Sequence, residues 1–214
     1  MYDYIFFDLD GTLTDPGEGI TNSVAYALKK FGIEPPEREA LYPFIGPPLV
    51  DSFARFYGMS ESECELAVKY YREYYSASGM LENALYEGIP ELLEALRARG
   101  KKIVLATSKP EVFAEKILVH FGLIKYFDFI SGALLDGSRI KKDDVIAHAL
   151  KSCKLSDKTD LILMVGDRMH DVIGASAHGI DALGVTFGYG SEEELVNSGA
   201  KYIAHSPAEI LQFI

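Results

Sequence analysis

The sequence predicts an α/β fold, with a doubly wound, mostly parallel sheet and a helical segment inserted after the first strand. Three observations support this prediction. Short apolar runs bounded by turn signals are typical of strands that are buried on both faces of a parallel sheet. Helical patterns alternate with these runs from about residue 85 onward, as expected of βαβ units. Residues 16–83 break the alternation, because they contain helical patterns and a loop but no convincing strand.

The elements can be assigned in order along the chain. Six apolar runs are predicted to be strands: Tyr4–Phe7, Ile103–Ala106, Phe127–Ile130, Leu161–Val165, Leu183–Thr186 and Tyr202–Ala204. Four Ser-x-x-Glu patterns are typical of capping boxes at helix N-termini, and they begin at Ser60, Ser108, Ser191 and Ser206. This assignment places a core domain in residues 1–15 and 84–214 and a helical insert in residues 16–83.

The composition restricts the possible functions. A net charge of −11 argues against nonspecific nucleic-acid binding and against docking on an anionic membrane. No apolar run approaches the ~18 residues that a membrane span needs. No basic region precedes the first apolar stretch, and the strand signal begins at once, so no signal peptide is expected and a cytoplasmic location is the default. The two cysteines, Cys64 and Cys153, form no CxxC pair and are expected to be buried free thiols.

Polar residues follow the predicted strands at the points where they end. The first strand leads into Asp8-Leu-Asp10-Gly11-Thr12, the second into Thr107-Ser108-Lys109 and the fourth into Gly166-Asp167-Arg168-Met169-His170-Asp171, while Lys141-Lys142 precedes a helix. If the strands are parallel neighbours, these segments meet at one edge of the sheet, where open α/β sheets bind their ligands. Adjacent carboxylates are electrostatically costly unless a cation or a reaction uses them.

The residue types at this edge indicate phosphoryl transfer. Carboxylates without histidine or cysteine suit Mg²⁺. A lysine, the Thr107 hydroxyl and a helix N-terminus after Ser108 would each favour a phosphate group. One carboxylate can accept a phosphoryl group, and a second acid two residues further on can protonate the leaving oxygen and then activate water.

The chain resembles the haloacid dehalogenase superfamily of phosphatases. The superfamily motif DxDGT[LV] is matched by Asp8-Leu-Asp10-Gly11-Thr12-Leu13, its strand-terminal Thr/Ser by Thr107, and its GDxxxD motif by Gly166-Asp167…Asp171. The resemblance covers the whole chain. It implies a Rossmann-like core and identifies the insert at 16–83 as a helical cap domain.

The resemblance also implies a role for each motif residue. Asp8 would be the nucleophile that becomes an aspartyl phosphate, and Asp10 the general acid and base, its main-chain carbonyl also touching Mg²⁺. Asp167 and Asp171 would complete the metal site with Asp8. The predicted phosphate ligands are Thr107, Ser108 and Lys142.

Two lysines are candidates for the phosphate ligand. The lysine of the superfamily is often followed by Pro-x-Pro, whereas this chain reads Lys141-Lys142-Asp143-Asp144. Either lysine could serve. Lys142 is preferred, because it lies nearer the helix start and leaves Val145 and Ile146 in the usual apolar places.

The resemblance is less specific about the substrate. The segment Phe44–Leu49 resembles a cap loop that selects substrates, with Gly46, Pro47, Pro48 and Leu49 as the predicted specificity residues. Together with Phe187-Gly188-Tyr189-Gly190, it resembles the phosphoglycolate phosphatase branch. The expected function is therefore Mg²⁺-dependent hydrolysis of a small phosphorylated metabolite, with phosphoglycolate as the first guess. The protein is expected to be a monomer or weak homodimer.

Three alternatives stay open at this point. A 5′-nucleotidase is one, because tyrosines at 70, 71, 74 and 75 could stack on a base, although Tyr71 and Tyr75 fit the buried face of their helix. A phosphomutase of the β-phosphoglucomutase type would share the nucleophile and the cap. The third is not an enzyme but a phosphate-sensing or interaction protein on a fold that has lost its catalytic activity. The complete set of motif residues disfavours it.

Overall fold

The computed structural model describes residues 2–214. The chain divides into two compact units, a core unit formed by the segment up to Thr14 together with Leu85–Ile214, and a helical unit formed by Asp15–Ala84. These boundaries lie one residue from those expected from the sequence. No helix within residues 2–214 combines the length and the apolar character that crossing a membrane requires.

Within residues 2–214, eight strands form two sheets. They are β1 (Tyr4–Phe7), β2 (Thr14–Asp15), β3 (Ala84–Leu85), β4 (Lys102–Pro110), β5 (Phe129–Ala133), β6 (Ile162–Gly166), β7 (Asp181–Val185) and β8 (Tyr202–Ala204). Six of them make one sheet in the order β5-β4-β1-β6-β7-β8, with every neighbouring pair parallel. The predicted parallel α/β sheet is therefore confirmed. The two-residue strands β2 and β3 pair with each other and were not predicted, because neither has an apolar run.

The helical unit contains helices α1 (Gly17–Lys30), α2 (Leu49–Tyr57) and α3 (Glu61–Tyr74). A 3₁₀ helix covers Arg38–Phe44, and a π-helical turn at Tyr75–Gly79 extends α3. The predicted capping box at the start of α3 is present, since the Ser60 N–H donates to the Glu63 carboxylate at 2.8 Å. Cys64 is buried in this helix as expected.

In its described part, the core unit contains six helices and two short 3₁₀ turns. The helices are α4 (Ile89–Ala98), α5 (Glu111–His120), α6 (Lys142–Cys153), α7 (Met169–Ser176), α8 (Glu192–Asn197) and α9 (Pro207–Ile210), and the turns are Ile124–Tyr126 and Thr159–Leu161. Cys153, at the end of α6, is half-buried rather than fully buried. Helices α6 and α7 both pack on the sheet, which brings their N-terminal ends to its carboxyl edge.

The register of the central strand positions the first motif. β1 lies between β4 and β6, and Phe7 is opposite both Leu105 and Val165. Ile5, Phe6 and Phe7 are fully buried, as an apolar run covered on both faces should be. The Asp8 N–H continues the ladder by donating to the Val165 carbonyl at 2.9 Å. Asp8 therefore begins where the central strand ends.

Candidate active site

Three aspartates meet beyond the carboxyl ends of β1 and β6. Asp8 directly follows β1, Asp167 directly follows β6, and Asp171 lies in the first turn of α7. All three are buried, and each contributes a carboxylate oxygen to a group whose atoms lie within 4.8 Å of one another. They are three of the four residues that the sequence predicts as metal ligands. Their oxygens are donors of the type that Mg²⁺ prefers.

Lys142 joins this acidic group from the first position of α6. Its Nζ lies 2.8 Å from Asp8 Oδ1 and 2.8 Å from Asp171 Oδ1, and it donates to the Ala106 carbonyl at 3.0 Å. Lys142 is buried, whereas its neighbour Lys141 is exposed. Of the two candidate lysines, Lys142 is thus the one that the fold brings to the acids.

The charges in this group do not balance, because one ammonium faces three carboxylates. Burial raises the pKa of Asp171 to about 6, although the Lys142 ammonium acts to lower it. Burial, together with the charges of Asp171 and Asp8, also raises the pKa of Asp167 well above its ordinary value. A divalent cation would remove this repulsion and restore the ionised forms. The residues present therefore fit Mg²⁺ in charge and in donor type.

Asp10, the fourth predicted ligand, is not part of the group of Asp8, Asp167 and Asp171, and its side chain pairs with Lys109. The Lys109 Nζ is 2.6 Å from Asp10 Oδ2 and 2.9 Å from Oδ1. Burial raises the pKa of Asp10, and the Lys109 ammonium opposes that rise. The predicted metal role of Asp10 involved its main-chain carbonyl, so this side-chain pairing does not bear on it.

Lys109 is a site residue to which the sequence assigned no role. The signal for it was present, because it follows Thr107 at the same strand end. Thr107 is buried in β4, and its Oγ1 accepts a hydrogen bond from the Lys109 N–H at 3.2 Å.

The predicted helix start at Ser108 is wrong. β4 continues through Pro110, which is aligned with Ala133 of β5, and α5 begins only at Glu111. The Glu111 carboxylate instead accepts a hydrogen bond from the Gly132 N–H at 3.1 Å. The half-buried Ser108 therefore lies in an extended segment and not at a helix N-terminus. The contact of Ser108 with phosphate stays a prediction, and a helix N-terminus at Ser108 no longer supports it.

A further contact orders the loop that carries Asp167 and Asp171. The Glu194 carboxylate accepts hydrogen bonds from Arg168 Nε at 2.9 Å and from the Met169 N–H at 2.8 Å. The Arg168 N–H in turn donates to Asp171 Oδ2 at 3.1 Å. The sequence singled out Glu194 only as the end of a capping box. The Ser191 half of that box is present, since Ser191 Oγ accepts from the Glu194 N–H at 3.0 Å.

The predicted specificity loop belongs to the helical unit. Gly46 and Pro47 lie between the 3₁₀ helix and α2, Pro48 is the N-cap of α2, and Leu49 is its first residue. Their role in substrate selection stays a prediction. Tyr71 and Tyr75, in the same unit, are buried and stack on each other with ring centroids 5.4 Å apart. They pack within the unit, as their helical spacing favours.

Known proteins are similar to this chain over most of its length. Residues 5–185 match the family model described as haloacid dehalogenase-like hydrolase. A protein of Pseudomonas aeruginosa named 5′-nucleotidase is 50% identical over 194 residues, which cover 91% of this chain and 87% of that protein. The tyrosine-protein kinase PtkA of Mycobacterium tuberculosis is 44% identical over 202 residues, covering 94% of this chain and 68% of that protein.

Two further proteins are similar over nearly the whole chain. A Vibrio parahaemolyticus protein named phosphoglycolate phosphatase is 29% identical over 218 residues, covering 98% of this chain and 95% of that protein. The crystal structure of a predicted phosphatase from Clostridium acetobutylicum superposes with a TM-score of 0.96 at 48% identity, covering 100% of this chain and 98% of that one. With its acidic site at the edge of a parallel sheet and a family match over most of its length, the chain belongs to the haloacid dehalogenase-like hydrolases and is a phosphatase, a phosphoric monoester hydrolase.

Proposed function

We propose that the protein is a Mg²⁺-dependent phosphomonoesterase that acts through an aspartyl phosphate on a small phosphorylated metabolite, with nucleoside 5′-monophosphates as the preferred class. The observation that carries the proposal is the buried group of Asp8, Asp167 and Asp171 with Lys142 in contact with Asp8. This group supplies a carboxylate nucleophile, an anion-binding ammonium and an excess of negative charge that suits a divalent cation.

In the first half-reaction, an Asp8 carboxylate oxygen bonds to phosphorus while the bond from phosphorus to the leaving oxygen breaks. Asp10 transfers a proton to that oxygen, so that an alcohol leaves. Lys142 and Thr107 hold the phosphoryl oxygens by charge and by hydrogen bonding. In the second half-reaction, Asp10 removes a proton from water, the water oxygen attacks phosphorus, and phosphate leaves as Asp8 is regenerated.

Mg²⁺ would be held by Asp8, Asp167 and Asp171 with the main-chain carbonyl of Asp10. When bound, it would neutralise charge on the transferred phosphoryl group. The protein's own residues act in addition to this charge neutralisation. Lys142 keeps Asp8 in place, and burial of the site strengthens each of these electrostatic interactions.

The substrate class rests on the relatives. The Pseudomonas aeruginosa protein named 5′-nucleotidase is 50% identical, whereas the Vibrio parahaemolyticus protein named phosphoglycolate phosphatase is 29% identical. Sequence motifs alone ranked phosphoglycolate first, and the higher identity reverses that order. Phosphoglycolate stays the second candidate.

A different phosphoryl acceptor is the main competing proposal. An aspartyl phosphate can pass its phosphoryl group to water, as in a hydrolase, or to a hydroxyl group, as in a phosphomutase. A protein named tyrosine-protein kinase is 44% identical to this chain. A tyrosine hydroxyl is therefore a third acceptor to test. Water is favoured here, because phosphatases account for several of the similar proteins.

The test measures phosphate release from four nucleoside 5′-monophosphates, 2-phosphoglycolate, β-glucose 1-phosphate and p-nitrophenyl phosphate, with Mg²⁺ and with EDTA. We expect Mg²⁺-dependent release, with the highest kcat/KM on a nucleotide. Asp8→Asn should abolish release, whereas Asp157→Asn, at an exposed position, should not. Formation of glucose 6-phosphate or of phosphotyrosine on an added peptide, without phosphate release, would overturn the hydrolase proposal.

A further inference from the structure

The segment Phe187-Gly188-Tyr189-Gly190 follows β7 and lies against the loops of the first and last motifs. The Tyr189 N–H donates to Asp167 Oδ2 at 2.8 Å. The Phe187 ring packs edge-on against Tyr86 with centroids 5.1 Å apart, which anchors the start of the segment within the core unit. The mechanism proposed above assigns this segment no function.

Glycines at three positions allow the close approach to Asp167. A Cβ added at Gly188 would lie 2.2 Å from the Gly11 carbonyl oxygen and 2.6 Å from Asp167 Oδ2. A Cβ at Gly190 would lie 1.9 Å from the Asp167 carbonyl oxygen, and one at Gly11 would lie 2.1 Å from Asp167 Oδ2. Real Cβ atoms do not approach other atoms so closely, so no larger residue fits at these positions without moving Asp167 or the glycine segments.

Asp167 is therefore held on both carboxylate oxygens by donors from different segments. Tyr189 N–H contacts Oδ2, and the Thr12 hydroxyl donates to Oδ1 at a longer distance of 3.3 Å. Asp167 is fully buried, so both hydrogen bonds lie in an environment of low dielectric constant. Mutating groups that orient a metal ligand in this way typically lowers metal affinity by about 10–100-fold.

We propose that Gly188 and the Tyr189 amide are positioning elements that set the orientation of the Asp167 carboxylate for Mg²⁺. Gly188 provides the space, and the Tyr189 N–H provides the hydrogen bond. The contact of Tyr189 with Asp167 is made by its backbone N–H. The inference rests on the proposed function in one respect, namely that Asp167 is a Mg²⁺ ligand.

The test is the Mg²⁺ dissociation constant, measured calorimetrically on the folded protein without substrate. Gly188→Ala should weaken Mg²⁺ binding at least tenfold, and Tyr189→Ala, which keeps the N–H, should change it less than twofold. The matched control is Gly184→Ala in β7, whose added Cβ would meet Leu195 at 2.9 Å and Ile203 at 3.1 Å rather than an aspartate. Gly184→Ala should lower thermal stability and leave the dissociation constant within twofold of the parent value.

Each outcome decides the inference. An unchanged dissociation constant in folded Gly188→Ala would overturn it, and so would an equal loss of affinity in Gly184→Ala. If Gly188→Ala does not fold, replacement of the Tyr189 amide by an ester, which removes the N–H and keeps the side chain, takes its place. A severalfold loss of affinity is expected, and no loss would contradict the inference. Asp167→Asn separates the two proposals, because normal Mg²⁺ binding by this variant would instead refute Asp167 as a ligand and with it the proposed metal site.

Discussion

The ammonium group of Lys109 lies within hydrogen-bonding distance of both carboxylate oxygens of Asp10, at 2.6 and 2.9 Å. Only 4% of the Lys109 side chain and 13% of the Asp10 side chain are exposed, so water screens this pair weakly. The contact fixes the orientation of the carboxylate proposed to exchange a proton with the leaving group. We therefore expect Lys109 to act as a positioning residue for Asp10, the proposed general acid.

Lys109→Met keeps the length of the side chain and removes its charge. We expect kcat on a nucleoside 5′-monophosphate to fall about tenfold or more, since a positioned general acid contributes about 10²–10⁴-fold. p-Nitrophenyl phosphate should lose less activity, because its leaving group departs without a proton. Steady-state kinetics on the two substrates make the comparison. Equal losses in kcat/KM, which reports only the first half-reaction, would show that Lys109 does not act through the proton transfer from Asp10 to the leaving oxygen.

Lys142→Met removes the cation that faces Asp8 and Asp171, at 2.8 Å from each. Removing one partner from a buried ionic group costs about 3–5 kcal/mol. We expect a loss of that order in the free energy of unfolding, measured by urea denaturation in EDTA, with partial recovery in Mg²⁺. The matched control is Lys141→Met at the adjacent exposed position, which should change stability by less than about 0.5 kcal/mol. Equal losses in the free energy of unfolding for the two substitutions would show that Lys142 does not balance the buried carboxylates.

Mg²⁺ binding should depend on pH through the metal-ligand candidates. The pKa of Asp171 is raised to about 6, chiefly by burial, and that of Asp167 is raised as well. Below its pKa a carboxyl group is protonated and neutral, so it competes poorly for a cation, and metal binding must displace the proton. Calorimetry should therefore show affinity falling as pH decreases from 7 to 5, with proton release on binding. An affinity that is constant over this range would refute the prediction.

The parallel sheet was predictable because its strands are continuous apolar runs between turn signals. Tyr4–Phe7 and Tyr202–Ala204 have the predicted bounds, since charged or turn residues flank both runs. The run at Ile103–Ala106 ended too early in the prediction, because Thr107–Pro110 are polar or proline yet still belong to β4, where Pro110 pairs with Ala133 after a register shift. Strand pairing there overrides local composition, and it also removes the capping box expected at Ser108.

The acidic residues of the site were predictable because parallel strands bring their carboxyl ends to one edge. Asp8, Asp167 and Asp171 do meet there, and so does Lys142. The contact between Lys109 and Asp10 was not predictable, since spacing places both residues at the edge but does not determine which lysine faces which acid. The contact of the Tyr189 backbone with Asp167 depends on a loop path that has no periodic signal.

The most direct test of the central claim is to find the covalent intermediate. The protein is mixed with a nucleoside 5′-monophosphate and Mg²⁺, quenched in acid within milliseconds, and analysed by peptide mass spectrometry. The proposed mechanism predicts one added phosphoryl group on the peptide that contains Asp8, lost in Asp8→Asn and retained in Asp157→Asn. Steady phosphate release with the phosphoryl group on a different residue, or with no phosphorylated peptide at any quench time, would contradict the claim.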